Sequence, residues 1–316
     1  MSALKFMPFI GLILFIFIIF KIGILKIIES LSYFNFLYFI LAILASVPLI
    51  FLKALKWKWI ISSYKVDYGL FAAAIAYYIS SFLGAITPGK IGEFAKMFYL
   101  RKAKGVSYGK SLSTVIADRL VDIFILLFLA FIGVAIFAGM YLIDKGYILT
   151  ISLFLFVVAF ISILITNKKY IKFLLAPFLN KAVPLKHRPN VIINFDEFYD
   201  GIKLIKEKKK ILLAAIILTI ISWLGTFFQH YLIALTLGIN LPYYFFIFIS
   251  PIIMFIEIIP VSFSGIGTRD GAVILFFSLM GMPASSAVLF SFVILVFSYI
   301  IVLPGLFFWF KHPIKA

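Results

Sequence analysis

Six stretches of this chain are apolar enough, at roughly twenty residues or more each, to cross the ~30 Å hydrocarbon of a bilayer as helices. They lie near 7–27, 34–54, 111–138, 147–166, 211–237 and 285–310. A lipid-spanning segment must satisfy its own backbone hydrogen bonds, which leaves α-helices or a closed barrel. Runs of this length select the helix. Composition agrees: 65% of the 316 residues are hydrophobic and 13% are charged, where a soluble domain is about half apolar and a quarter charged. The chain is therefore read as an all-α polytopic membrane protein.

Two further apolar stretches, 69–102 and 243–281, are each broken in the middle by Gly and Pro. The breaks read Ala85-Ile-Thr-Pro-Gly-Lys-Ile-Gly-Glu93 and Pro260-Val-Ser-Phe-Ser-Gly-Ile-Gly-Thr-Arg-Asp270. The arm after each break is too short to span, so each stretch is expected to form a re-entrant helix pair. Thr87, Pro88, Gly89 and Gly92 would shape the first break, and Pro260, Ser262, Ser264, Gly265 and Gly267 the second.

The net charge of +17 is explained by topology rather than by nucleic acid, because Lys and Arg collect in cytoplasmic loops. Segment 53–68 carries Lys53, Lys56, Lys58 and Lys65, and segment 101–110 carries Arg101, Lys102, Lys104 and Lys110. Connection 167–210 holds eleven basic residues against four acidic ones. All three are assigned to the cytoplasm, with both termini on the same side and Lys311 and Lys315 at the C-terminal end. Lys21 and Lys26 weigh against this scheme and are outnumbered. The N-terminus has no small-residue cleavage site and reads as an uncleaved span. With no Cys and three scattered His, no metal site and no cofactor are expected.

In order, the chain reads span, span, re-entrant pair, span, and then repeats from the opposite side. This divides it into a first membrane repeat, 1–139, and a second, 140–310, as an inverted repeat of the kind transporters use for alternating access. Gly-Lys-Ile-Gly at 89–92 echoes Gly-Ile-Gly at 265–267, and Gly105-Val-Ser echoes Gly281-Met-Pro; two unrelated hairpins are the alternative. Within 167–210, Val191, Phe195, Phe198, Ile202 and Ile205 share one helical face. That segment reads as an amphipathic helix, either a docking element or a regulatory one.

Ionisable groups inside hydrocarbon are costly and need a reason. Lys90 and Glu93 lie at the first break; Glu257, Arg269 and Asp270 surround the second; Asp118, Arg119 and Asp122 lie on the helix between. Glu93 and Asp270 suit first-turn positions of the helices that start there, whereas Lys90 and Arg269 sit at the end that disfavours cations. Either those cations form an anion site at converging helix N-termini, or they are neutralised in an ion-pair network. Asp118 and Asp122 share a helix face, and Arg119 is placed to meet Asp122. Their spacing is also that of a metal–pyrophosphate pair, but no second such motif follows. Glu257 would carry a proton or pair with an Arg. His230 is read as a hydrogen-bonded packing residue.

Thr87-Pro-Gly-x-x-Gly-Glu93, Asp118-Arg119-x-x-Asp122 and Pro260-x-Ser-x-x-Gly-x-Gly-x-Arg-Asp270 together resemble the lysylphosphatidylglycerol synthase transmembrane region family, also called flippase-like or UPF0104. The resemblance runs from about residue 34 to 310. It implies a lipid flippase in the cell membrane, and it carries over Glu93, Arg119, Glu257 and Arg269 as site residues. The bacterial resistance factors of this family add a soluble aminoacyl-transferase domain that this chain does not carry before Ala316, which leaves the lipid open. The reading is a transporter, not an enzyme, with Lys90, Arg119 and Arg269 binding an anionic or phosphate-bearing headgroup. Glu93, Asp118, Asp122, Glu257 and Asp270 would balance charge or couple protons. The expected partners are membrane lipids (phospholipid, glycolipid or polyprenyl-phosphate), and a second copy of the chain in a homo-oligomer. The rival readings are an intramembrane lipid-modifying transferase and an accessory subunit of a surface-glycosylation or lipid-aminoacylation system.

Overall fold

The computed structural model describes residues 31–141, 167–170, 188–258 and 267–313, with a few isolated positions elsewhere. The spans expected at 7–27 and 147–166, and Pro260, Ser262, Ser264 and Gly265, lie outside the described residues.

Among the described residues every regular element is helical. Helix α1 is Phe36–Ser62, opened by the Asn35 side chain, which accepts the Leu37 N–H at 3.0 Å. It is followed by α2, Leu70–Ala85, an eight-residue 3-10 turn, Pro88–Ala95, and α3, Lys96–Lys104. Then come α4, Tyr108–Tyr141; α5, Arg188–Glu207; α6, Lys209–Thr236; α7, Tyr243–Ile258; α8, Thr268–Leu279; and α9, Ala284–Lys311. Four of them, α1, α4, α6 and α9, are long and apolar enough to cross a membrane. At 1.5 Å per residue, the 27 residues of α1 extend about 40 Å. The 16 residues of α2 and of α7 reach only about 24 Å, short of a bilayer core.

The first broken stretch folds back on itself. The Thr87 hydroxyl donates to the Leu83 carbonyl at 2.7 Å and accepts the Gly92 N–H at 2.7 Å, closing the turn. Gly92 lies against the Leu83 backbone, where a Cβ would collide. The second arm differs from expectation. It does not become α-helical at Lys90, because the 3-10 turn runs to Ala95 and Lys96 is the first α residue. Lys90 therefore sits within a tight turn rather than at a helix N-terminus, and its φ of 55° lies in the left-handed region. At the second break Gly267 has φ 83°, and its N–H is held by the Asp270 carboxylate at 2.8 Å. Asp270 is thus a first-turn acid.

Segment 53–68 is helical over its first ten residues rather than a loop. Helix α1 continues to Ser62, so Lys53, Lys56 and Lys58 are helical, and Lys56 is buried. Helix α5 presents Ile202 and Ile205 to the interior and packs along α4. Gly109 of α4 permits this approach, since it abuts the Asn194 backbone and donates its N–H to the Asn194 side chain at 3.2 Å.

Among the described residues, the two larger of four apolar clusters form about the two broken stretches. Trp57, Tyr77, Tyr99 and Leu100 pack between α1, α2, α3 and α4. Phe245, Phe246, Phe277 and Phe290 pack between α7, α8 and α9, with Ile233 of α6. The long seam of α1 against α6 and the packing of α9 on α2 join the two. Glycines let helix backbones approach closely, as in other membrane helix packings. Gly305 of α9 faces the Tyr78 carbonyl of α2, and Gly133 of α4 faces the Phe248 carbonyl of α7. Gly133→Val is expected to push α7 off α4 and cost about 1–3 kcal/mol, read as a lowered thermal unfolding midpoint in detergent.

Candidate functional site

A buried ion-pair network ties the first core together. Asp118 and Lys96 are each 0% exposed and Lys56 is 1% exposed. The Lys56 ammonium lies 2.9 Å from one Asp118 oxygen and also pairs with Asp122, while Lys96 pairs with the other Asp118 oxygen. Tyr77 donates to that second oxygen at 3.2 Å. The Lys96 ammonium also sits over the rings of Tyr77, at 4.3 Å, and Trp57, at 5.3 Å, a placement that favours a cation. Asp122 accepts from Thr219 at 3.4 Å, and its carbonyl accepts from the Trp223 indole at 3.3 Å. Every full charge here has an opposite charge in contact, which is the condition for keeping it out of water.

Two further pairs stand at the breaks. Arg119 does not meet Asp122 as its spacing suggested; it pairs with Glu93 in the 3-10 turn. Arg269, 2% exposed, extends Nη1 to Glu257 at 3.3 Å and Nη2 to Asp270 at 3.2 Å, and Nε donates to Ser291 at 2.7 Å. Ser291 in turn bonds to Asp270. Each break therefore carries one Glu–Arg pair, Glu93–Arg119 and Glu257–Arg269. His230 is bonded to Ser250 at 2.9 Å beside this second core.

Between the two pairs lies a cavity of about 210 Å³, walled by α1, α2, the 3-10 turn, α7, α8 and α9. Lys53, Lys90, Glu93, Glu257 and Arg269 line it, with Tyr77, Ser81 and Ser298 among the uncharged polar side chains. Of the sequence-derived candidates, the fold brings Lys90, Glu93, Glu257 and Arg269 to this one space. Arg119 reaches it through Glu93, and Asp270 through Arg269. Asp118 and Asp122 stand one layer behind, clamped by lysines.

Sequence reasoning missed Lys53, Lys56 and Lys96. The Lys-rich string Lys53-Ala-Leu-Lys-Trp-Lys58 looks like a loop edge; its one usable signal was the three-residue spacing of Lys53 and Lys56, which puts both on one helical face. Lys53 faces the Trp223 ring at 5.6 Å and forms no ion pair with a described residue, and neither does Lys90.

Comparison with known proteins accounts for nearly the whole chain. The model of the lysylphosphatidylglycerol synthase transmembrane region matches residues 8–305. The chain belongs to that family. Curated relatives of this family include two UPF0104 membrane proteins of Methanocaldococcus jannaschii. One is 27% identical over 242 residues, 73% of this chain and 71% of the relative. The other is 26% identical over 208 residues, 65% of this chain and 83% of the relative. A UPF0104 membrane protein of Pyrococcus horikoshii is 24% identical over 256 residues, 76% of each. No solved structure matches the chain significantly. Membership in this family and the long apolar helices make it a multi-pass membrane protein of lipid-related character.

The network predicts its own energetics. Asp118→Asn strands Lys96 in a buried site and is expected to cost about 3–5 kcal/mol. Combining it with Lys96→Met leaves the Lys56–Asp122 pair intact, so the double variant should unfold at a higher temperature than Asp118→Asn alone.

Proposed function

We propose that the protein is a flippase that moves an anionic or phosphate-bearing lipid headgroup between membrane leaflets through the cavity between its two broken stretches. The observation that carries this reading is the charge of that cavity's wall. Lys53 and Lys90 enter it without a carboxylate partner among the described residues, beside the guanidinium of Arg269. In the surrounding cluster, Lys53, Lys56, Lys90, Lys96, Arg119 and Arg269 face only Glu93, Asp118, Asp122, Glu257 and Asp270. One cation is in excess at a place where unbalanced charge is expensive, and an anionic ligand would offset it.

The two Glu–Arg pairs suit a partner exchange. Before a headgroup arrives, Glu257 and Glu93 occupy their arginines as internal anions. An arriving phosphate makes charge-assisted, bidentate contacts that a single carboxylate oxygen at 3.3 Å does not, and it displaces them. The displaced carboxylate is then left to balance charge or couple a proton. The apolar chains stay in lipid while the headgroup crosses. Asp118 and Asp122 act as fixed charge balance, since Lys56 and Lys96 hold the two oxygens of Asp118 and Lys56 also holds one of Asp122.

The same reading places the protein in the cell membrane with both termini cytoplasmic, and makes the two broken stretches inversely oriented halves of one transport unit. The lipid is a phospholipid, glycolipid or polyprenyl-phosphate, and transport rather than catalysis is its fate.

Leaflet exchange of head-labelled phosphatidylglycerol in proteoliposomes tests the proposal. Arg269→Gln removes one charge-assisted contact worth about 1.5–3 kcal/mol, so exchange should fall by one to two orders of magnitude. Lys90→Gly removes a cation while relieving a left-handed backbone that costs an L-residue roughly 1–2 kcal/mol. It should lose exchange while unfolding no earlier than the parent. Undiminished exchange in both variants would overturn the assignment.

A further inference from the structure

A second cavity, of about 300 Å³, lies in the elbow where α5 turns into α6 through the single residue Lys208, against α1 and α4. Its wall is aliphatic and aromatic, with Ile60 from α1, Phe124 from α4, Ile202 and Ile205 from α5, and Ala215 from α6. Lys206 is the one lining residue with a polar side chain. Water would find no set of partners in such a wall, and apolar cavities of this kind stay dry or take up hydrocarbon. The volume is at the lower end of that of small-molecule sites. Three of the four helices that form it are long, apolar ones, so hydrocarbon chains are the solvent at hand.

Charge selects which chain. Lys206 is exposed at the cavity, and Lys203, Lys208, Lys209 and Lys210 around it are exposed too, with Glu207 the only acid in that run. None of these lysines forms an ion pair with a described residue. A basic cluster next to a hydrocarbon slot is complementary to a lipid that carries a negative phosphate above an apolar tail.

We infer that the α5–α6 elbow is a binding site for an anionic phospholipid, with one hydrocarbon chain in the cavity and its phosphate on Lys206. The site is separate from the cavity at the breaks, shares none of its lining residues, and does not depend on transport through it. Because α5 joins the spanning helices through Phe198, Ile202 and Ile205, the bound chain completes the packing of α5 on α1, α4 and α6. The amphipathic helix is thereby seated by anionic lipid.

The test uses Phe124→Trp as a fluorescent reporter in the cavity wall, in vesicles of phosphatidylcholine containing equal mole fractions of bromine-chain phosphatidylglycerol or bromine-chain phosphatidylcholine. The emission added by the substitution should be quenched with about a fivefold preference for the anionic lipid, the factor that one lysine beside phosphate supplies. In the Lys206→Gln background the preference should fall toward one, and in the Arg269→Gln background it should remain. That last arm separates this site from the transport site, whose failure would leave the result standing. Native mass spectrometry of the parent and of Lys206→Gln, released from the same vesicles, repeats the comparison without altering the cavity wall. Less phosphatidylglycerol should be retained by Lys206→Gln. Equal quenching by the two lipids, no quenching, or a preference and retention that survive Lys206→Gln would overturn the inference.

Discussion

Asp118 is the residue on which the described helices depend most. It is fully enclosed, and its two oxygens hold lysines from two other elements, Lys56 of α1 and Lys96 of α3. In a low-dielectric interior an ion without a partner costs several kcal/mol, and a paired one is held tightly in place. Three separate elements are therefore fixed in register by one carboxylate. The 3-10 turn that carries Lys90 and Glu93 leads directly into Lys96, so anchoring Lys96 also positions the first break. Aromatic rings close the arrangement: Tyr77 and Trp57 cover Lys96 with their faces and spend their polar atoms on Asp118 and Thr114.

The second break has a comparable anchor with different parts. Arg269 is held by Glu257, Asp270 and Ser291, and Asp270 also closes the start of α8. The two anchors differ in what they leave free. Lysines pair with both oxygens of Asp118 and one of Asp122 behind the first break, while the Glu93 and Glu257 ends of the outer pairs face the shared cavity. A charge-neutral layer of Lys56, Lys96, Asp118 and Asp122 thus backs a front layer of Glu–Arg pairs.

Hydropathy and the Gly/Pro interruptions were enough to read an all-helical membrane protein and to mark both broken stretches. The reach of α4, α6 and α9 follows from side-chain chemistry along one dimension, and so does the amphipathic stripe that became α5, whereas α1 runs on through lysines to Ser62. Charge assignments were less legible. Lys56 looks the same in sequence as Lys58, two residues on. Yet Lys56 is buried against Asp118 and Asp122, 62 and 66 residues away, while Lys58 remains partly exposed and near Asp67. Arg119 could reach Asp122 within its own helix by spacing alone, but the folded first hairpin brings Glu93 closer to it.

By itself, the sequence determined that this chain lives in lipid, roughly where the described long helices lie, and which two places break the pattern. Those properties arise from local periodicity and from backbone hydrogen bonding, which each segment satisfies on its own. Only the tertiary structure decided which charges are structural and which face a cavity. An ion's partner is set by distance and dielectric in three dimensions, and residues such as Lys96 and Asp118, or Lys90 and Arg269, become neighbours only after the hairpins pack. The apolar elbow beside Lys206 is of the same kind: four helices must meet before a run of lysines in a connection becomes the mouth of a cavity.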